Sequence, residues 1–259
     1  MEHIKLDLRG ETGVLTICRE EALNALNTGV LKELEEALEA VAANRGLRCL
    51  IITGQGARAF VAGADIAEML AKDPAEGEAF SRLGSSVLLR LERLPMPTVA
   101  AVNGYALGGG FELALSCDIR IASDNAVLGL PEVGLGLFPG WGGMHRLARV
   151  AGPGRAKELI FTGRAIPAKE AFAMGVVNHV YPQETLMDEA ARLANQIASS
   201  APVAVRLAKQ ALHAGMHMDM ADALELDAGQ FGKCFATGDA KKGMSAFLNK
   251  EKGVRFDNL

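Results

Sequence analysis

Apolar and polar positions change period several times along the chain, and each change predicts an element. Residues 4–8 and 13–18 alternate and carry β-branched side chains, which predicts a hairpin with 9–13 as its turn. Thr28 is the expected cap of a helix whose Leu31, Leu34, Leu38 and Val41 share one face, with Gly46 beyond its end. The unbroken apolar run 49–53 predicts a buried strand, stopped by Gly54-Gln55-Gly56. One helix is expected to follow Asp65 and another to cover about 79–93, ended by Pro95 and Pro97. Residues 98–102 predict a second buried strand, 104–110 a Gly-rich loop, 111–115 the opening of a helix, and 119–122 and 126–129 short strands. Gly152-Pro153-Gly154 and Tyr181-Pro182 read as turns. Strands and helices alternate to about residue 180, the signature of an α/β fold; from about 185 the pattern is almost wholly helical. That tail is too short for a core of its own and is expected to pack on the main body or on a neighbouring subunit. No internal repeat or low-complexity segment interrupts the pattern.

Composition narrows the function classes. The 259 residues are 49% apolar and 22% charged, ordinary globular values, and the chain is long enough to bury a sizeable core. A net charge of −4 gives no reason to expect nucleic acid or an anionic membrane as partner, though a local basic patch for a phosphorylated group is compatible with it. The four cysteines lack CxxC spacing; three lie in apolar runs and are expected to be buried thiols in a reducing compartment. The first ten residues, MEHIKLDLRG, resemble neither a signal nor a transit peptide. The most apolar stretch, 99–122, is broken by Asn103, Glu112, Asp118 and Arg120, a poor membrane span. A soluble, cytoplasmic protein is expected.

Several local patterns invite chemistry that their details refuse. Gly104 to Gly110 fits neither GxGxxG nor a P-loop, and the third glycine of 134–140 comes one residue late. His213 and His217 have metal-ligand spacing, but Ala214 stands where a zinc protease has Glu and no third ligand is evident, so solvated or packing roles and no metal are expected. There is no GxSxG, and Cys117 reads as a core thiol. His145 reads equally as a cleft residue or as part of a helix start, and the single Trp141 as a pocket wall or a packing anchor.

Three segments carry more. In 59–66, small residues permit close approach of a ligand to the backbone, and Asp65 is positioned as an N-cap with Glu68 at the capping-box position; the plainer reading is a strand-to-helix turn. In 103–115, a buried strand runs through Gly108-Gly109-Gly110 into a helix, whose free N-terminal amides and dipole suit an oxygen that becomes anionic. Glu112 follows in the first turn. It either complements the dipole at the surface or, as Leu107, Phe111, Leu113 and Leu115 suggest, sits partly buried, where a carboxylate is costly unless it has a chemical role. In 130–140, Glu132 is again a carboxylate among apolar residues.

FVAGADIAEM, AVNGYALGGGFELALSCDIRIA, LPEVGLGLFPGWGGMHRL and LIFTGRAIPAKEAFAMGVVNHV, with EEALNALN before them and FATGDAKKGMSAFLNK after, resemble the crotonase (enoyl-CoA hydratase/isomerase) superfamily over essentially the whole chain. The resemblance implies a spiral of repeated ββα units (core 1–195) and a C-terminal helical trimerisation region (196–259), in a homotrimer or a hexamer built as a dimer of trimers. It implies an oxyanion hole made by the amides of Ala64 and Gly109, and two catalytic glutamates, Glu112 and Glu132, the pair that marks hydratases; family isomerases often keep only the second. Hydration of a 2-enoyl-CoA to the (3S)-3-hydroxyacyl-CoA is therefore expected, with Glu112 as base toward water and Glu132, its pKa raised by apolar surroundings, as acid toward the α carbon. The alternatives are Δ3-Δ2-enoyl-CoA isomerisation and, more remotely, an RNA-binding or assembly role on the same scaffold.

The resemblance also places Ala22, Leu23 and Ala25 along the pantetheine arm, Ala62 to Ile66, Asp65 included, at the adenine end, and Leu107, Gly108, Pro131, Gly140 and Trp141 in the cleft. No cofactor is implied, since coenzyme A arrives as part of the substrate. The chain departs from the commonest pattern at Ala67 (often Lys, a phosphate contact), at Phe111 (often Cys), at Trp141, and at Met144-His145 (often Thr-Gln). Trp141 is expected to shorten the acyl pocket.

Overall fold

The computed structural model describes residues 1–257. The hairpin forms from β1 (Ile4–Arg9) and β2 (Thr12–Ile17), which run further into the expected turn and leave only Gly10 and Glu11 between them. The helix α1 (Thr28–Ala43) is capped by Asn27, not by Thr28: the Asn27 side chain accepts from the Val30 amide. Thr28 is instead the first helical residue, and its amide donates to Glu68 across the chain. Leu31, Leu34, Leu38 and Val41 are all buried, as their spacing predicts.

From β3 (Cys49–Gly54) onward the chain repeats one device. A first strand enters a large sheet, a second, shorter strand enters a small one, and a helix follows. The pairs are β3 with β4 (Ala59–Val61), then β5 (Thr98–Val102) with β6 (Tyr105–Leu107), then β7 (Ile119–Ser123) with β8 (Val127–Gly129). Their helices are α2 (Ile66–Leu70) with α3 (Pro74–Glu92), α4 (Gly109–Leu115), and α5 (Gly143–Ala151) with α6 (Pro153–Thr162). Two more strands, β9 (Ile166–Pro167) and β10 (His179–Tyr181), flank α7 (Ala168–Ala173). The large sheet runs β1-β2-β3-β5-β7-β10 and the small one β4-β6-β8-β9; every pairing is parallel except β1 with β2 and β8 with β9. This is the expected α/β spiral of ββα units.

The two-residue period of the strands feeds two cores. Leu50, Ile52, Ala100 and Val102 face the main core with α1 and α3, whereas Cys49, Ile51, Val99 and Ala101 face a second cluster. The cover for that second face is α8 (Leu186–Ala198), whose Leu186, Ala190 and Ala194 fall four residues apart on one stripe. Beyond it come α9 (Pro202–Gly215), α10 (Met220–Cys234) and α11 (Gly238–Leu248), which leave Leu212, Met216, Leu224, Phe231, Phe235 and Phe247 exposed. The helical tail therefore divides: α8 packs on the body, while α9 is held to it mainly by Lys209, whose ammonium donates to Met96 O (3.0 Å) and Asp118 (2.7 Å), with His213 3.3 Å from the same carboxylate.

Other local expectations change on folding. The third helix starts at Pro74, five residues early, because Asp73 and Glu76 form a full capping box around Pro at the first position. The box expected at Asp65 does not form: Asp65 caps the amides of Ala67 and Glu68, but Glu68 turns to Thr28 and Lys72. Part of the Gly-rich loop, Tyr105–Leu107, is a strand, because β4 and β8 supply parallel partners on both sides. Gly152 alone separates α5 from α6, so Gly154 is helical. Only Cys49 and Cys117 are fully buried, and burial pushes both thiols up to about 12; Cys18 and Cys234 are partly exposed. His213 contacts Asp118 and His217 is exposed, and among the described residues no cluster of three or more His, Cys, Asp or Glu is arranged to hold a metal. No helix among them is long and apolar enough to cross a membrane.

Candidate active site

One cleft of about 1010 Å³ opens where the small sheet, α3, α4 and the loop before α5 meet. Its first wall is the strand exit after β4. Leu26 donates to the Gly63 carbonyl (2.9 Å) and accepts from the Asp65 amide (2.9 Å), a parallel bridge at Ala64. Peptide groups alternate in direction along an extended chain, so the Ala64 N–H points away from Leu26 and toward the cleft. Among the described residues it has no backbone acceptor. Ala62, Ala64 and Ile66 line this wall as expected. Ala22, Leu23 and Ala25 are not in the lining; their segment joins this wall through Leu23 O, which accepts from the Ala62 amide (3.0 Å). Asp65 is also outside the lining. It pairs with Arg19 at 2.6 Å, and that hydrogen bond holds its carboxyl below the usual range.

The second wall is the triple glycine. Gly108 adopts φ +49° with ψ −125°, a conformation only glycine takes readily, and its amide donates to Gly129 O (2.9 Å). The chain then enters α4 with the Gly109 N–H at the first helical position, where no intrahelical acceptor exists. At Gly110 a Cβ would stand 1.9 Å from the Val61 carbonyl oxygen. The helix thus presses directly on β4, which brings the Gly109 amide and the Ala64 amide into one cleft.

Both glutamates face that cleft in contrasting settings. Glu112 is 2% exposed, and its Oε1 accepts from the amides of Trp141 and Gly143, each at 2.8 Å. Burial raises its pKa; the two amides and the Arg146 charge act in the opposite direction. Glu132 stands in the single turn Glu132–Leu135, its carboxyl against Gly108, where a Cβ would lie 3.0 Å from Oε1. Its Oε2 is buried and, among the described residues, without a hydrogen-bond partner. Burial, reinforced by the Glu112 charge, pushes Glu132 up to about 7. Two carboxyls in one cleft are thus differentiated: one anchored by amides, the other inclined to keep its proton.

The chain matches the model of the enoyl-CoA hydratase/isomerase family over residues 9–257. It belongs to that family. It is 49% identical to a short-chain-enoyl-CoA hydratase of Clostridium acetobutylicum, over 100% of this chain and 99% of that one, and 48% identical to a crotonyl-CoA hydratase of Syntrophomonas wolfei, over 97% and 96%. Among solved structures, an enoyl-CoA hydratase from Bacillus anthracis superposes with a TM-score of 0.96 at 38% identity, covering 99% of this chain and 100% of that one.

In this family member, part of the cleft lining comes from residues that sequence reasoning passed over. Phe80 and Ser81 of α3 line it. Phe80 meets Trp141 edge-on at 5.4 Å between ring centroids, and the hydroxyls of Ser81 (2.7 Å) and Ser85 (3.1 Å) donate to Gly140 O. Trp141 is both things the sequence allowed, a cleft wall and a buried anchor, wedged so tightly that a Cβ on Gly84 would lie 2.2 Å from its ring. Leu107, Gly108, Pro131 and Gly140 line the cleft as expected, whereas His145 is exposed on α5 and takes no part in it. Lys72, over the Phe80 ring at 4.9 Å, was also missed. The Asp73-Pro74-Ala75-Glu76 start signal could have revealed that a helix reaches this region; nothing local could have shown which face meets the cleft.

Proposed function

We propose that this chain is a hydratase of short 2-enoyl-CoA thioesters, with Ala64, Gly109, Glu112 and Glu132 as its reacting groups. The thioester oxygen sits between the Ala64 and Gly109 amides. Electron density drawn toward it leaves the β carbon open to water and stabilises the enolate where it forms, an effect of roughly 3–4 kcal/mol for one such donor. Glu112 takes a proton from water as its oxygen bonds to C3, and Glu132 delivers a proton to C2. A proton then passes from Glu112 back to Glu132, directly or through solvent, and restores both carboxyls; the sum is one water added across the double bond, with no electrons gained or lost, so the scheme needs no metal or redox group. The carrying observation is the pair of unlike carboxyls in one cleft: Glu112 held by two amides, Glu132 pushed up to about 7 beside Gly108.

The test is loss of the conjugated enoyl-thioester absorbance when the purified protein meets crotonyl-CoA. Conversion to 3-hydroxybutyryl-CoA supports the reading. An inert protein that instead converts a 3-enoyl-CoA to the 2-enoyl isomer would reassign it as an isomerase.

Short acyl groups fit a cleft whose lining includes the two bulky rings of Trp141 and Phe80, packed edge-on. Trp141→Ala is expected to raise relative activity on hexenoyl-CoA over crotonyl-CoA about tenfold, in line with about 0.8 kcal/mol for each of the roughly two methylenes newly accommodated. An unchanged chain-length profile would exclude Trp141 as the gate. The exposed apolar side chains of α9 to α11 support assembly into a trimer or a dimer of trimers, and the four unpaired thiols suit a reducing, cytoplasmic setting.

A further inference from the structure

We propose that Arg146, anchored by Glu92, is a positioning residue for Glu112: it fixes the Trp141–Gly143 turn whose amides hold the Glu112 carboxylate. This rests on the reading of Glu112 as the base. Arg146 lies on α5, with a side chain only 11% exposed. Its Nη1 donates to the Trp141 carbonyl oxygen at 2.8 Å. Its Nε (2.8 Å) and Nη2 (2.7 Å) both reach Oε2 of Glu92, the last residue of α3. The Trp141 residue that accepts from Arg146 through its carbonyl donates to Glu112 through its amide. Glu92, Arg146, the turn and Glu112 therefore form one continuous chain of hydrogen bonds.

The turn cannot hold itself. Gly142 has φ +91°, and α5 begins with glycine at its cap and first position, so the backbone there is intrinsically soft. The guanidinium fits because Gly142 has no Cβ; one would stand 2.8 Å from Nη1. A planar fork meets both ends of this arrangement. One edge sets two nitrogens on a single carboxylate oxygen of α3 while the third nitrogen grips a carbonyl on the turn, a three-bond geometry that the single nitrogen of an ammonium does not reproduce. The charge also acts on Glu112, favouring its anion.

The charged groups facing Glu112 are few. Arg146 comes from α5, Glu132 from the turn after β8, and Glu92 of α3 acts through Arg146. Among β4 and β6, which also pack on α4, Tyr105 is the only ionisable residue, and it is exposed. Removing Arg146 takes away a charge that favours the Glu112 anion and leaves burial opposed by the two amides alone.

The experiment is the pH dependence of crotonyl-CoA hydration by wild type, Arg146→Met and Arg146→Lys, with Glu112→Gln beside them. Arg146→Met is expected to lower kcat about 10²-fold, the scale of an ångström-level misplacement, to leave KM within about twofold, and to move the acid limb of kcat to higher pH. Arg146→Lys keeps the charge without the fork, so its acid limb stays near that of wild type while kcat falls about tenfold. A folded Arg146→Met with wild-type kcat and an unmoved acid limb overturns the proposal. So does equal loss in both variants without any shift of the limb, the mark of a merely structural role. Should Arg146→Met not fold, Arg146→Lys decides: wild-type kcat in that variant overturns the proposal. Retained activity in Glu112→Gln would instead overturn the underlying reading of the base, whatever Arg146 does.

Discussion

Glu132→Gln is expected to lower kcat for hydration by about 10²–10⁴-fold, the range for losing a general acid, with the protein still folded. Glutamine matches the shape of the protonated acid but has no proton to give to C2. The same residue sets the pH dependence. With its pKa pushed up to about 7, Glu132 is protonated below that value and ionised above it. Wild-type kcat is therefore expected to fall as pH rises through about 7, and this limb should be absent from the residual rate of Glu132→Gln. A variant within tenfold of wild type, or a wild-type rate flat from pH 6 to 9, would remove Glu132 from the acid role. The physical cause is the orphaned Oε2: a buried carboxylate oxygen without a donor favours the neutral form, and the nearby Glu112 charge acts in the same direction.

The second large effect is structural. Gly110→Ala places a methyl 1.9 Å from the Val61 carbonyl oxygen, and the obstacle is backbone that no rotamer change can move. Overpacking commonly costs about 1–3 kcal/mol, and the upper end is expected here. For a protein of this size that is a Tm lowered by on the order of 5–10 °C, read by thermal denaturation. Activity should fall further than stability, because α4 carries the Gly109 amide and Glu112 and must shift away from Ala64. A folded Gly110→Ala with wild-type Tm and turnover would mean that the contact between α4 and β4 does not set the cleft geometry.

Much of the scaffold was legible because burial has a period. The spacing of Leu31, Leu34, Leu38 and Val41 identified the core face of α1, and the unbroken apolar runs of β3 and β5 announced strands covered on both sides. The chemistry was legible for a related reason. The neighbours Leu107, Phe111, Leu113 and Leu115 pointed to a buried Glu112 over a surface one, and it is 2% exposed. The triple glycine pointed to free amides at a helix start; the structure adds that Val61 and Trp141 press against that backbone.

Competing local signals were harder to read. Asn27 and Thr28 are adjacent residues that both cap helices well; tertiary contact decided between them, since Glu68 engages Thr28. Tyr105–Leu107 has no strand pattern of its own and is extended because β4 and β8 flank it. Leu23 is joined to the cleft wall through its carbonyl, which accepts from the Ala62 amide, a pairing that its local sequence does not announce.

The sequence by itself determined the periodic elements, the α/β class, the two acidic residues and the glycine-started helix, because each depends on residues close together along the chain. Only the tertiary structure decided that the amides of Ala64 and Gly109 share one cleft, that Phe80 from α3 lines it against Trp141, and that Arg146 ties the Glu112 turn to Glu92. Those juxtapositions join segments far apart in sequence. Their geometry follows from how the two sheets and their helices pack, and no local pattern of side chains encodes it.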